Sequence, residues 1–259
     1  MNIVDLARSA HSKLTDVLIP QRVVFHHVPK CGGTSVARAL RRRYFLSQAT
    51  VTPEASFRAF EAFTGRADRE QMLIDVLDLR EQMMLNLLFE DIRCVSLHVR
   101  FSEVAHANFS SSYKFVSILR EPVGRFISHY YWSYGKPQAH ARIEEDFEEF
   151  LETERAQRLG ATYVEYYSGL QKDSDMRASN AANMAIANLR RFDVVGRLDD
   201  LQDFEAQVYN QLGVKIVIGH ENKNRAPGNG SALISPELRE KVVDICAPDI
   251  AVWEGFFSG

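Results

Sequence analysis

The sequence predicts an α/β fold: one domain with a mostly parallel central sheet flanked by helices. Three observations predict it. Val23–Arg43 reads VVFHHVPKCGGTSVARALRRR, an apolar run, a glycine-rich turn and then an Ala/Leu/Arg segment of helical character. Tyr113–Leu119 is nearly continuous in apolar residues, as strands buried on both faces are. Elsewhere, strand-like runs alternate with helix-like spacing, the pattern of a parallel sheet covered on both sides.

Taken in order, residues 2–18 space Ile3, Leu6, Ala7, Ala10, Leu14, Val17 and Leu18 helically, and Pro20 ends that segment. Residues 1–21 are therefore expected to form a helix packed on the domain of residues 22–259. Arg22–Val28 is the first strand and Thr34–Tyr44 the helix after the turn. The Arg41-Arg42-Arg43 run at its end reads as solvated surface, with attraction of an anion as the alternative. Residues 47–66 read as a loop with a short helix. Asp68–Phe89 carries Leu, Met and Ile at helical intervals, and Arg93–Leu97 is the second strand. After Tyr113–Leu119, Pro122 suits the first turn of a helix reaching about Tyr134, ended by Gly135 and Pro137.

Residues 142–159 read as one charged helix. Residues 160–175 are polar and Tyr-rich, either an acceptor wall or packing. A helix follows over Met176–Arg190, a strand over Phe192–Leu198, a helix over Asp199–Leu212 and a fifth strand over Val214–Ile218. Residues 219–230, GHENKNRAPGNG, are a polar loop. Ser235 caps a helix starting at Pro236, and a short closing helix holds Asp249 and Trp253. There is no repeat and no linker.

Composition narrows the function. Hydrophobic content of 46% and charged content of 25% suit a globular domain, and a net charge of −3 argues against a nucleic-acid partner. No apolar run reaches the roughly 20 residues of a membrane span, and the first 20 residues lack a signal-peptide core. Three cysteines, Cys31, Cys94 and Cys246, give no even disulfide set, so a reducing cytoplasm is the expected compartment. The oligomeric state is left open.

The glycine-rich turn is an anion cradle. Two glycines let backbone approach a ligand, the first helical amides are unpaired at the positive end of the dipole, and Lys30 adds a full charge. An ordinary turn capped by Thr34 or Ser35 is the plainer reading. The nucleoside-triphosphate P-loop does not fit, because Lys30 precedes the glycines; G-x-G-x-x-G is absent. A cysteine-phosphatase loop fails too, since Arg38 lies one residue too far from Cys31.

FHHVPKCGGTS closely resembles the 5′-phosphosulfate loop of the membrane-type carbohydrate sulfotransferases, the family of heparan sulfate 2-O-sulfotransferase. FVSILREPVGRFISHYYW, Phe115–Trp132, is similar to that family's second signature, a strand followed by R-[DE]-P-x-x-R-x-x-S-x-Y. DVVGRLDDLQDF, HENKNRAPG and SPELREKVVDICAPDIAVWE resemble later family segments, so the likeness covers residues 22 to 257. It implies a P-loop-like sulfotransferase fold and the donor 3′-phosphoadenosine 5′-phosphosulfate (PAPS). Cys31, Gly32, Gly33, Thr34 and Ser35 would hold the phosphosulfate, with Lys30 on the leaving phosphate. Arg120 and Ser128 match the positions for the 3′-phosphate. Arg125 is read as a structural ion pair as readily as a ligand contact. His98, in SLHVRF, matches the family base; some relatives carry H-x-H here, and Ser96 replaces the first histidine. His27 would brace the loop, and His220 and Arg225 would close over the nucleotide.

Sulfuryl transfer requires an in-line nucleophile, a base and positive charge on the leaving phosphate. It needs no metal, and no HExxH, CxxC or carboxylate cluster is present to hold one. The expected reaction is transfer from PAPS to a hydroxyl of a sugar, glycolipid or small molecule. A kinase-like phosphotransferase and a non-catalytic nucleotide-binding module are the alternatives.

Overall fold

The computed structural model describes residues 21–66, 68–137, 142–219 and 234–258. Five strands form one parallel sheet: β1 (Arg22–His26), β2 (Gln48–Val51), β3 (Cys94–Leu97), β4 (Tyr113–Leu119) and β5 (Val194–Arg197). Their spatial order is β2-β3-β1-β4-β5, so β1 is central: the chain first crosses to the edge strand β2, returns to β3 beside β1, and then continues on the other side through β4 to β5. Twelve helices are described: α1 (Gly33–Arg43), α2 (Pro53–Thr64), α3 (Arg69–Phe89), α4 (Glu103–Phe109), α5 (Pro122–Ser133), α6 (Phe147–Leu151), α7 (Glu154–Leu159), α8 (Thr162–Tyr167), α9 (Ala181–Leu189), α10 (Leu201–Leu212), α11 (Pro236–Ile245) and α12 (Ala247–Phe257). None is long and apolar enough to cross a membrane. The expected α/β architecture is the observed one. The expected N-terminal helix lies outside the described residues.

The inner strands are apolar on both faces because helices cover both. Val23, Val24 and Phe25 of β1 and Phe115, Val116, Ile118 and Leu119 of β4 are buried. The register levels His26 of β1 with Leu97 of β3 and Ser117 of β4. The next residues, His27, His98 and the β4 exit at Arg120, therefore emerge together beyond the carboxyl edge. Parallel sheets bind ligands at that edge, where neighbouring strands are continued in opposite directions.

Three expected elements differ. The strand expected over Val214–Ile218 is not formed. Val214, Ile216 and Ile218 are buried and Val217 is exposed, so the alternation is real. The segment has no ladder partner among the described residues, and the Ile218 amide donates instead to Glu205 Oε1 at 2.6 Å. β2, expected as loop, is an edge strand with only Val51 buried, and its four residues, QATV, alternate over too short a run to stand out. The charged helix of residues 142–159 is divided. Asp146 caps α6 through the Glu149 amide, and Thr153 caps α7 through the Ala156 amide. A threonine hydroxyl accepting a backbone amide starts a new helix rather than continuing the old one.

Candidate active site

The glycine loop between β1 and α1 is shaped by close contacts. Gly32 adopts φ 73° as the cap of α1, and a Cβ there would meet Leu198 Cδ1 at 2.5 Å. A Cβ on Gly33 would lie 1.9 Å from the His27 ring. Neither position admits a side chain without displacing a neighbour. Lys30 also takes a left-handed φ of 68°, a conformation that costs a non-glycine residue roughly 1–2 kcal/mol.

The amides of the loop divide into two sets. Cys31 N–H donates to Val28 O, and the Ser35 and Val36 amides donate to Gly32 O. The amides of Gly32, Gly33 and Thr34 find no acceptor among the described residues. Three consecutive donors at a helix N-terminus, beside a lysine, are an arrangement suited to an anion. The sequence expectation included Cys31 and Ser35 in the cradle, but their amides are already used within the loop.

Cys31 is fully buried, and its Sγ lies 3.5 Å from the Tyr163 hydroxyl. Burial raises its pKa, so it remains a thiol. The Tyr163 hydroxyl also accepts from the Arg120 amide at 2.9 Å and donates to the Arg120 carbonyl. One phenol thus ties the cradle to the exit of β4. Asp249 of α12 fixes that tyrosine by accepting its amide at 2.7 Å, and it pairs with the buried Arg125 at 3.2 Å. Arg125 is the structural ion pair that the sequence allowed, rather than a free phosphate ligand.

Three cations converge without a carboxylate partner among the described residues. Lys30, Lys136 and Arg120 interact electrostatically, and Lys30 and Lys136 both lie over the Trp132 ring. Burial first, then repulsion from Lys136 and Arg120, lowers the Lys30 pKa to about 8. Glu121, the acidic residue of the second motif, does not neutralise Arg120. Its carboxylate caps α5, accepting from the Val123 and Gly124 amides at 2.9 and 2.7 Å. The Arg120 guanidinium runs along this first turn, where a Cβ on Gly124 would lie 3.5 Å from its Nε. Ser128 follows on α5, nearly buried.

His98 stacks on His27, with ring centroids 4.0 Å apart. Its Nδ1 faces the His27 carbonyl oxygen, which can only accept, so the proton sits on Nδ1 and Nε2 carries the lone pair. Burial, then the neighbouring His27 and Arg80, holds the His98 pKa well below 6.5. The ring is neutral at pH 7. It lines a cavity of about 210 Å³ with Arg80, His129 and Trp132 among its walls.

Ser96, which replaces the first histidine of the H-x-H pattern, is buried in β3. Arg225 and His220 lie outside the described residues. Tyr163, Lys136, Arg80 and His129 were not assigned site roles from sequence. Tyr163 stood within the Tyr-rich stretch that was weighed between wall and packing; Lys136, beyond its helix, carried no motif signal.

A family model described as the sulfotransferase family matches residues 16–252. A solved sulfotransferase from Alicyclobacillus acidocaldarius is similar in structure, with a TM-score of 0.50 and 20% identity, over 92% of this chain and 96% of that one. At that identity the likeness speaks to the fold. No individually curated protein matches the chain.

Proposed function

The chain belongs to the sulfotransferase family and is a sulfotransferase enzyme, and from this premise we propose that its donor is PAPS and its acceptor a hydroxyl of a small molecule or carbohydrate. The observation carrying the proposal is the placing of two chemistries at one sheet edge. The unaccepted amides of Gly32, Gly33 and Thr34 stand beside Lys30, and His98 offers Nε2 from the adjacent strand exit.

In this reading the 5′-phosphosulfate rests on the three amides, with the Thr34 and Ser35 hydroxyls as further donors. Arg120 and Ser128 hold the 3′-phosphate, which suits a guanidinium fork. His98 Nε2 takes the acceptor's hydroxyl proton as the oxygen attacks sulfur. The bond between sulfur and the bridging oxygen breaks, and the electron pair leaves with the 5′-phosphate. Lys30 stabilises the charge gathering there, an interaction that grows toward the transition state. The products are a sulfate ester and 3′-phosphoadenosine 5′-phosphate, with the proton on His98. Arg225 is proposed to close over the nucleotide.

The test is a transfer assay with sulfur-labelled PAPS and a panel of phenols, alcohols and sugars. Label appearing on an acceptor, and lost in Lys30→Ala and His98→Ala, supports the proposal. Label transferred equally by His98→Ala removes the histidine from its role. Phosphoryl transfer from ATP in place of sulfuryl transfer overturns the donor assignment.

A further inference from the structure

The cavity beside His98 holds a buried guanidinium with no counter-ion. Arg80 of α3 is only 4% exposed. Its Nε donates to Ser56 Oγ at 2.9 Å, its Nη1 reaches the His98 carbonyl at 3.4 Å, and its Cζ lies 5.1 Å from the centroid of the Phe57 ring. Nη2 is buried and has no hydrogen-bond partner. No carboxylate among the described residues pairs with it. The nearby acids are engaged elsewhere. Asp75 binds Arg66 and Lys172, Asp78 binds Arg100, and Glu165 binds Arg158 and Arg100.

An uncompensated buried charge is among the costlier features a fold can keep. Arg80 is also held still, by two hydrogen bonds and a ring, while both hydrogens of Nη2 lack an acceptor among the described residues. Arg125 adds to the same wall, where its Nε and Nη1 are buried without partners. Of the other arginines lining the cavity, Arg125 is paired with Asp249 and Arg158 with Glu165, so Arg80 is the one whose charge the proposal uses. The rest is largely apolar, with Phe57, Leu73, Leu77, Trp132, Ile143 and Phe150. A sugar would place hydroxyls against these side chains and strand them without partners. A volume of about 210 Å³ exceeds the roughly 150 Å³ that accommodates a benzene ring, so one ring with short substituents fits.

We infer that the acceptor is a small molecule with an apolar, ring-sized body and a carboxylate, the carboxylate docking on Arg80 so that the hydroxyl faces His98. The inference rests on the proposed sulfotransfer at this site, since it names the acceptor class of that reaction. It narrows the choice between carbohydrate and small molecule to an amphiphilic anion.

The experiment is calorimetric titration of the full chain with 4-hydroxyphenylacetate, its neutral amide and glucose, each with and without 3′-phosphoadenosine 5′-phosphate. Failure of the bisphosphate to bind would count against the donor assignment alone, because the cavity's preference is also read without it. The expected result is that the acid binds at least roughly tenfold tighter than the amide, as a charge-assisted hydrogen bond provides, and that glucose binds weakest. In Arg80→Met the acid loses this advantage while bisphosphate affinity is unchanged, and the protein melts no lower than wild type because a buried charge has been removed. Arg80→Lys retains part of the preference. Equal binding of acid and amide by the wild type, tighter binding of glucose, or a preference that survives in Arg80→Met would overturn the inference. A loss in Arg80→Met of PAPS affinity but not of bisphosphate affinity, with the acid preference intact, would assign Arg80 to the transferred sulfuryl group instead.

Discussion

The Nδ1 hydrogen of His98 is directed at the carbonyl oxygen of His27, its neighbour across the β1–β3 register. The contact is a consequence of parallel pairing, because His26 is level with Leu97 and the next residue on each strand falls beside the other. It fixes the tautomer, and burial keeps the ring neutral. On the proposed mechanism, in which His98 is the base, the lone pair on Nε2 is thus in place before any substrate arrives. Replacing His98 by Asn should lower kcat by about 10²–10⁴-fold while donor affinity stays within a few-fold. Single-turnover kinetics beside a donor titration would check this, and a variant with near-normal kcat would remove His98 from the mechanism.

Gly33 supports that arrangement from the loop. Its φ is not left-handed, so the requirement is purely for space: a methyl would sit 1.9 Å from the His27 ring. Gly33→Ala should push His27 aside, disturb the carbonyl that orients His98, and cost about 1–3 kcal/mol as overpacking does. Thermal melting and donor affinity should both fall. Unchanged values would mean that the ring has room to move.

Lys30 makes donor binding sensitive to alkaline pH. Its pKa is lowered to about 8 from 10.5. In the free protein it therefore loses its charge above pH 8, and a bound anion must restore the proton. Affinity for 3′-phosphoadenosine 5′-phosphate should weaken as pH rises from 8 toward 10, with proton uptake on binding that calorimetry in two buffers can count. Folding responds in the opposite sense. Between about pH 8 and 10.5 the unfolded chain binds the proton and the folded one does not, so this residue's contribution to stability rises with pH. Lys30→Arg should abolish the inflection in affinity.

Arg120 and Arg125 stand five residues apart in one motif and are expected to fail differently. Arg120→Ala should reduce the preference for the bisphosphate over adenosine 5′-phosphate, which lacks the 3′-phosphate, with little change in melting temperature. Asp249→Ala should leave Arg125 charged and buried with only the Leu159 carbonyl as partner, and cost about 3–5 kcal/mol. It also frees the Tyr163 amide that Asp249 accepts. Nucleotide competition and denaturant unfolding would separate the two effects.

Much of this was legible in the sequence where local chemistry decides structure. The cradle, the β4 strand and the helix start at Pro122 follow from glycine spacing, apolar continuity and the place of proline in a first turn, whereas the Glu121 cap is seen only in the structure. His98 and Arg120 were singled out by the family resemblance of SLHVRF and of the second motif, and the fold sets both at the carboxyl edge of the sheet. What the sequence concealed depends on partners distant along the chain. β2 is four residues long and mostly unburied, and it is a strand because β3 offers an edge. Val214–Ile218 alternates like a strand and lacks a neighbour among the described residues. Tyr163 joins Cys31 to Arg120 across more than forty residues in one case and more than a hundred in the other. Arg80 is an unremarkable arginine in a long helix until the fold buries it behind His98.

The central claim is that the loop from Lys30 to Thr34, with Arg120, is built for a 3′-phosphorylated adenosine 5′-phosphate rather than a triphosphate. Calorimetric titration with 3′-phosphoadenosine 5′-phosphate, with ATP in parallel, tests it most directly. The account predicts that the bisphosphate binds with one site per chain and at least roughly tenfold more tightly than ATP, and that Lys30→Ala and Arg120→Ala each weaken it. Tighter binding of ATP, or a bisphosphate affinity unaffected by either substitution, would contradict it.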